Sequence, residues 1–313
     1  MKVNLILSSI IMLVLPTACS EEVATPYIEK HVWSPYMRRS DDNFIIFDFK
    51  VLDDGQLYAT GMIDTQFVFS KRIHNSWIVL AQVEENGIAD FTIFNDTIYY
   101  STNTAIKRAR GTFVEVIVKS DGGSVAVFEN KLFMSANNLK FRGSNYTLMS
   151  YDSAGTLTPI DNGVQGGALT KLGNKLFFSG VPAKVYENGS YTVSDYPGGG
   201  YLSIDNNGVI YNWISYDGNH ASITRFVNGA YENVGNKITT RTIFDKLVVN
   251  GSLIVISGVD ADTFASRSYF LSKKNVWTEI PTVDDFFDII TFEHNIFIAT
   301  DKGEMLRLAA TRE

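Results

Sequence analysis

The sequence of 313 residues is poor in cysteine, histidine and proline, with one, four and seven copies respectively. A single cysteine, Cys19, cannot form a disulfide within the chain, so a disulfide-stabilised fold is excluded. The histidines, His31, His74, His220 and His294, lie far apart and show no metal-ligand spacing and no catalytic pattern. The sequence therefore predicts a fold held together by its apolar core, with no metal or other cofactor.

Positive charge is also scarce. The chain has 27 Lys and Arg against 34 Asp and Glu, which gives a formal net charge of −7. Affinity for nucleic acids comes mainly from clustered Lys and Arg, so we expect no nucleic-acid partner. Two short basic clusters, Lys71–His74 and Lys107–Arg110, end predicted third strands and are expected at the bottom rim of the fold. Either a solvated rim or a contact with anionic lipid head groups would accommodate them.

Long apolar runs are confined to the first residues of the chain. Val3–Leu15 is apolar except for one Asn and two Ser, and it is preceded by Lys2. The run is too short to cross a bilayer, which takes about 20 residues. A positive end, a short apolar run and the small residues Thr17 and Ala18 are typical of a secretory signal peptide.

Cys19 directly follows these small residues. The stretch LPTAC (15–19) resembles a bacterial lipobox, in which an aliphatic and two small residues precede a cysteine that is acylated after cleavage. Leu15 stands four positions before the cysteine instead of three, because Pro16 intervenes. An ordinary signal peptide with an incidental cysteine is therefore the alternative.

The lipobox resemblance implies three segments and a location. We expect a lipoprotein signal peptide at 1–18, the lipidated Cys19 with a tether at 19–30, and one folded domain at 31–313. The partner of the acylated end would be the lipid bilayer of a bacterial cell envelope. In a Gram-negative cell, Ser20 after the cysteine favours sorting to the outer membrane.

The rest of the chain shows little helical periodicity and repeats short apolar strands. Each unit has an apolar strand, a turn and a second apolar strand, followed by a third and fourth joined by a tight turn. A repeat of about 40 residues with four short strands is typical of the blades of a β-propeller. The second strands are predicted to begin near Gln56, Thr97, Lys131, Lys175, Val209, Ser252 and Asn295.

The last unit, residues 285–311, shows only three strands. The stretch HVWSPY (31–36) resembles NVWTEIP (275–281), a predicted fourth strand, with Trp33 matching Trp277. The sequence therefore predicts an all-β, seven-bladed β-propeller whose ring is closed by the N-terminal strand, which removes an exposed sheet edge. Six blades is the alternative, if one of the short units near 88–118 and 166–195 is not a blade.

Small dipeptides close several of the second strands. Thr60-Gly61, Ser179-Gly180 and Ser257-Gly258 stand where kelch repeats carry a double glycine, and Trp77 and Trp277 stand near the kelch fourth-strand tryptophan. Residues 31–313 thus resemble kelch-type and related bacterial propeller lipoproteins. The resemblance implies the propeller architecture, and its motifs carry over no catalytic residue.

Acidic and aromatic residues gather in the predicted top loops, which join second to third strands and one blade to the next. Loops on a rigid scaffold are where binding residues concentrate. We therefore expect a protein- or glycan-binding assembly scaffold that works through its top face. The alternative is an acidic top rim that is merely solvated and binds no partner. The candidate ligand-binding residues are Phe141, Arg142, Tyr196, Tyr216, Asp217, His220, Asp260, Asp262, Phe264, Asp284 and Asp285.

The rival class is a carbohydrate-active enzyme, a hydrolase or lyase with a carboxylate site on the top face. Glycosidases need two carboxylates about 5 to 9 Å apart. Two close carboxylates in a deep top pocket would favour the enzyme, and a shallow charged or aromatic face would favour the scaffold.

Overall fold

A computed structural model describes most of the chain from residue 29 to residue 312. Its described residues form 28 β-strands in seven four-stranded antiparallel sheets and contain no helix. None of them therefore belongs to a helix that could cross a membrane. The described ranges are 29–37, 44–74, 76–137, 145–165, 168–178, 184–193, 202–205, 207–215, 220–227, 230–239, 241–281 and 285–312. Cys19 and the predicted signal peptide lie outside them.

Blades 1 to 3 follow one another along the chain. Blade 1 comprises β2 (Ile45–Val51), β3 (Leu57–Ile63), β4 (Gln66–Ile73) and β5 (Ser76–Val83). Blade 2 comprises β6 (Asp90–Phe94), β7 (Thr97–Ser101), β8 (Ala105–Arg110) and β9 (Phe113–Lys119). Blade 3 comprises β10 (Gly123–Phe128), β11 (Lys131–Asn137), β12 (Asn145–Tyr151) and β13 (Leu157–Gln165).

Blades 4 to 7 complete the ring. Blade 4 comprises β14 (Leu169–Leu172), β15 (Lys175–Phe178), β16 (Lys184–Glu187) and β17 (Ser190–Val193). Blade 5 comprises β18 (Leu202–Ile204), β19 (Ile210–Ser215), β20 (His220–Val227) and β21 (Ala230–Thr239). Blade 6 comprises β22 (Thr242–Asn250), β23 (Leu253–Asp260), β24 (Ser266–Leu271) and β25 (Trp277–Glu279). Blade 7 comprises β26 (Phe286–Phe292), β27 (Asn295–Thr300), β28 (Met305–Arg312) and β1 (Glu29–Met37).

The predicted seven-bladed propeller is confirmed, and the six-bladed alternative is wrong. First strands lie innermost, where those of neighbouring blades contact one another, and fourth strands lie outermost. Turns between first and second strands, and between third and fourth strands, lie at the bottom. Turns between second and third strands, and the connections between blades, lie at the top.

The ring is closed by the N-terminal strand, as the sequence predicts. β1 pairs antiparallel with β28, from Glu29 opposite Arg312 to Met37 opposite Met305. Trp33 is 6% exposed in the apolar cluster between blades 6 and 7. Its Nε1 donates a hydrogen bond to Ser268 Oγ at 3.3 Å, so β1 also contacts the neighbouring blade.

Apolar clusters fill the spaces between neighbouring blades, and the second strands are buried on both faces. β3, for example, is buried over five consecutive residues, Leu57 to Gly61. This explains why these strands read as continuous apolar runs instead of alternating ones.

Two of the glycines that the sequence singles out have a steric role. A Cβ on Gly61 would lie 2.0 Å from the carbonyl oxygen of Ile45, and one on Gly258 would lie 2.1 Å from that of Ile243. Both glycines therefore let a second strand approach the inner strand of its blade more closely than any other residue would allow.

We predict that Trp33→Ala lowers the free energy of unfolding by about 3–5 kcal/mol, because it empties a buried aromatic site. Pro35→Ala, on the exposed part of the same strand, is the control and should change stability by less than about 1 kcal/mol. Chemical denaturation of both variants measures the difference. Equal transition midpoints for Trp33→Ala and the wild type would show that β1 does not hold the ring closed.

Candidate functional site

Three neighbouring inner strands carry a β-bulge at matching positions. The register shifts just before Asp48 in β2, just before Lys246 in β22 and just before Asp288 in β26. A bulge re-aims the side chain that follows it. Because blades 6, 7 and 1 are adjacent in the ring, the three charged side chains meet in the central channel.

The three side chains form a compact charged cluster. Lys246 Nζ lies 3.0 Å from Asp288 Oδ1 and 3.4 Å from Asp48 Oδ1. The Asp288 side chain is 2% exposed, and its Oδ2 accepts a hydrogen bond from the backbone N–H of Phe49 at 2.7 Å. Asp48 and Asp288 thus share the ammonium group of Lys246, which brings the two carboxyl groups close to each other.

Burial raises the pKa of Asp48 to about 7, and the negative charge of Asp288 adds to the rise, while Lys246 and Lys50 oppose it. The Asp48 side chain is 32% exposed and lines the cavity described below. Asp48 therefore titrates near neutral pH, far above an ordinary aspartate.

A second polar chain runs through the channel across blades 1 to 4. Lys50 Nζ lies 2.5 Å from Asp90 Oδ1 and donates a hydrogen bond to the carbonyl oxygen of Phe91 at 2.7 Å. Asp90 Oδ2 accepts hydrogen bonds from the Ser124 hydroxyl and from the N–H of Val125. Ser124 Oγ in turn accepts one from the N–H of Leu169 at 3.1 Å.

A cavity of about 410 Å³ lies in the upper channel between these two charged groups. Asp48, Lys50, Asp90 and Lys246 line it, together with the first residues of the inner strands of blades 3 and 4 and with Tyr146. Among the described residues, no group of His, Cys, Asp and Glu is arranged to hold a metal ion. At the lower end of the channel, Lys171 of blade 4 forms an ion pair with Asp53 of blade 1.

Three of the predicted ligand-binding residues share one top loop, outside the channel cavity. Asp260 Oδ1 accepts hydrogen bonds from the N–H groups of Asp262 at 3.0 Å and of Thr263 at 2.9 Å. Asp262 forms an ion pair with Arg241 at 2.9 Å. Phe264 is 75% exposed at the tip. The carboxylates of Asp260 and Asp262 thus hold the conformation of the loop, and the exposed ring of Phe264 is the side chain available for binding.

The remaining predicted site residues divide into two sets. Asp285 lies close to the same loop, because its Oδ1 accepts a hydrogen bond from the N–H of Ser266 at 2.9 Å. His220 is the first residue of β20. The others fall outside the described residues and stay predictions: Phe141, Arg142, Tyr196, Tyr216, Asp217 and Asp284.

The basic clusters are mostly engaged within the fold. Lys71 pairs with Asp54 at 3.0 Å, and Arg72 is buried, with its guanidinium donating to Tyr36 Oη at 2.6 Å. Lys107 pairs with Glu85 at 2.6 Å. Glu85 belongs to a blade connection on the top side, so the expected bottom-rim position of Lys107 is wrong. β8 runs from the top to the bottom, and Lys107 is only its third residue.

The channel cluster is the part of the site that the sequence analysis missed. The sequence feature that could have revealed it is a tripeptide that recurs in the three inner strands. It reads Ile-Phe-Asp at 46–48 and 243–245, and Phe-Phe-Asp at 286–288. A charge inside an apolar inner strand has to find a partner there. In blade 6 the register brings Lys246, the residue after the tripeptide, to the position of the two aspartates.

The fold is shared with solved β-propeller proteins. A virginiamycin B lyase from Staphylococcus aureus, solved as a catalytically inactive variant with quinupristin, has a TM-score of 0.61 and 14% identity over 90% of this chain and 99% of that one. YCF48 from Cyanidioschyzon merolae has a TM-score of 0.55 and 11% identity, with 88% and 98% covered. BamB from Moraxella catarrhalis has 0.53 and 10%, with 84% and 82% covered.

These likenesses show the fold alone. No protein-family model matches the sequence, and no curated protein is significantly similar to it.

We predict that Asp48 makes the protein less stable as the pH rises toward 8. Its native pKa of about 7 exceeds the unfolded value, so between about pH 4 and 7 the native state binds more protons than the unfolded state and loses stability with increasing pH. Asp48→Asn removes this dependence, and Asp64→Asn in an exposed turn is the control. Melting temperatures from pH 4.5 to 8.5 measure it, and parallel curves for wild type and Asp48→Asn would contradict it.

Proposed function

We propose that the chain is a lipid-anchored protein of the bacterial cell envelope, and that it acts as a protein- or glycan-binding scaffold through the top face of its propeller. The observation that carries the proposal is the cavity of about 410 Å³ in the upper channel, whose charged lining residues are ion-paired with one another. Its volume lies within the range of about 300–1,000 Å³ that is usual for ligand pockets.

The lining favours an uncharged polar ligand. Lys50 and Lys246 supply donors and Asp90 and Asp48 supply acceptors, while the charges of the two lysines are balanced by Asp90 and by Asp288. Sugar hydroxyls and peptide amide groups both donate and accept hydrogen bonds, and they fit such a lining better than a fully charged ligand does. This supports a glycan or a loop of a partner protein as the bound group.

The top rim adds an aromatic contact. Phe264 extends from the loop between β23 and β24, on the same side of the ring as the mouth of the cavity. An exposed aromatic ring on a structured loop packs well against a sugar face or an apolar side chain. The top face thus combines a polar pocket with a peripheral aromatic anchor.

One observation favours the rival function, a carbohydrate-active enzyme. Asp48, with a pKa of about 7, suits general acid–base catalysis at neutral pH. However, Asp48 and Asp288 both contact the ammonium group of Lys246, at 3.4 and 3.0 Å, and the Asp288 side chain is only 2% exposed. Glycoside cleavage needs a second carboxylate that reaches the sugar, and the buried Asp288 does not offer one. The pair therefore supports binding and channel stability more than catalysis.

The proposed anchor would set the orientation of the ring. β1 runs from the bottom of blade 7 to its top, because Glu29 pairs with Arg312 at the C-terminal end of β28. A tether that precedes β1 would therefore enter from the bottom and leave the top face directed away from the lipid.

We predict that Cys19 carries the acyl chains. Cells fed a clickable fatty acid should label the wild type and lose the label in Cys19→Ala, because no other cysteine is present to be acylated. Ser20→Ala serves as the control and should keep the label. Equal labelling of the wild type and Cys19→Ala would refute the anchor while leaving the binding function untouched.

We predict that partners contact the top face. A photoreactive phenylalanine analogue at Phe264 should yield discrete cross-linked adducts in intact cells, because this exposed side chain lies at the top. The same analogue at Lys131, exposed at the bottom start of β11, is the matched control and should yield none. Identical adducts from both positions, or adducts from Lys131 alone, would argue against a top-face scaffold.

A further inference from the structure

The β-bulges of blades 1 and 7 place two phenylalanine rings at the upper ends of the inner strands. The register of β2 skips Phe47, directly before Asp48, and that of β26 skips Phe287, directly before Asp288. Phe287 is 45% exposed, and Phe47 is half-buried. The bulges that bring the two aspartates into the channel therefore also direct two aromatic side chains out of the regular strand pairing.

The two rings contact each other across the boundary between blades 7 and 1. Their centroids lie 5.1 Å apart, and their planes meet at 87°, which is an edge-to-face arrangement. Phe47 also contacts Phe67 of β4, with ring centroids 5.8 Å apart. Each of the three residues lies within the first three positions of a strand that begins at the top. Phe47, Phe67 and Phe287 therefore form an aromatic platform on the top side of the ring.

Core packing does not account for the exposed rings of this platform. The residues directly before Phe47 and Phe287 already fill the core at these positions, since Ile46 is 2% exposed and Phe286 is 9% exposed. The platform rings are additional apolar side chains that keep surface in contact with water. A contiguous group of exposed apolar side chains next to polar residues marks a binding surface.

The channel cavity next to the platform offers hydrogen-bond donors and acceptors in pairs. Asp48, directly after Phe47, lines the cavity together with Lys246, and their charged atoms lie 3.4 Å apart. Lys50 and Asp90 form a second such pair at 2.5 Å. A ligand group that lies over one of these pairs meets an ammonium donor and a carboxyl acceptor at the same time.

A hydroxyl group matches such a donor–acceptor pair better than either polar group of a peptide bond. A hydroxyl donates one hydrogen bond and accepts others through the same oxygen, whereas a backbone N–H only donates and a backbone carbonyl only accepts. The two lysine–aspartate pairs therefore favour a ligand with several hydroxyl groups. The platform beside them favours a ligand that also carries an apolar face.

We propose that the ligand of the top-face cavity is a neutral oligosaccharide, which packs the C–H face of one sugar ring on the platform and directs hydroxyl groups to the lysine–aspartate pairs. The inference rests on the proposed binding function of the same cavity and assigns its ligand to one class. A neutral sugar fits because Lys50 is balanced by Asp90 and Lys246 by Asp288. A charged ligand would bring a charge without a counter-charge into the cavity.

The same features disfavour a peptide segment as the occupant. Extended peptides are usually recognised through the backbone of a sheet edge, with enclosed pockets for their side chains. Here the donors and acceptors are side chains, and the apolar contact is an open ring, since Phe287 is 45% exposed. An open aromatic ring beside hydrogen-bonding side chains suits a flat sugar ring better than a side chain that needs enclosure.

The test applies the fluorescently labelled full chain to an array of immobilised oligosaccharides. The array carries neutral fragments of glucan, mannan, galactan, xylan and chitin, beside acidic fragments of pectin and alginate. The wild type should bind a neutral fragment more strongly than any acidic one. Calorimetric titration with that neutral fragment then compares variants. Phe287→Ala should weaken binding about tenfold, because it removes the exposed ring, and Phe287→Trp should retain binding, because it keeps an aromatic face.

Phe113→Ala is the matched control, because this ring is 63% exposed at the bottom start of β9, and it should leave the affinity unchanged. Melting temperatures measured in parallel exclude loss of the fold as the cause of weaker binding. No binding to any neutral fragment, a preference for acidic fragments, or equal affinities of Phe287→Ala and the wild type would overturn the proposal.

Failure of the glycan assignment and failure of the scaffold function give different results. A blank array together with protein adducts from the photoreactive analogue at Phe264 would refute the glycan ligand and assign the top face to a protein partner. A blank array without any adduct would refute both.

Discussion

The pairing of β1 with β28 is the constraint on which the rest of the structure depends. Each blade buries its apolar faces against its two neighbours, so a ring with one incomplete blade would leave the third strand of blade 7 as an open edge. β1 fills that place and adds Trp33 to the cluster between blades 6 and 7. The positions of all inner strands, and therefore the shape of the channel, follow from this closure.

Closure also explains why the channel can hold several charges. The inner strands bring Asp48, Lys246 and Asp288 together from blades 1, 6 and 7, and they link Lys50, Asp90 and Ser124 across blades 1 to 3. Removing one partner of such a group leaves another charge without compensation, which costs more than the pair contributes when intact. The polar groups of the channel thus have two roles. They hold the blades in their relative positions, and they offer hydrogen-bond donors and acceptors to a ligand in the cavity.

Most of the fold could be predicted from local sequence patterns, and most of the site could not. The strands, the seven repeats and the closure by Trp33 follow from apolar periodicity and from the match between residues 31–36 and 275–281. The channel cluster depends on bulges that shift Asp48, Lys246 and Asp288 into register, and a bulge leaves no clear trace in one sequence. The position of Lys107 depends on where β8 begins, which the local sequence does not define. The sequence pattern singles out Gly61 and Gly258, but only the packing explains why glycine is needed there.

The ion pair between Lys171 and Asp53 gives the central channel a direction. Because these residues come from blades 4 and 1, on distant parts of the ring, their contact crosses the lower end of the channel. This ion pair spans the lower end of the channel, and the cavity of about 410 Å³ lies above it. The two ends of the channel therefore differ in character: the upper end offers room for a bound group, and the lower end ties together two blades that are not neighbours in the ring.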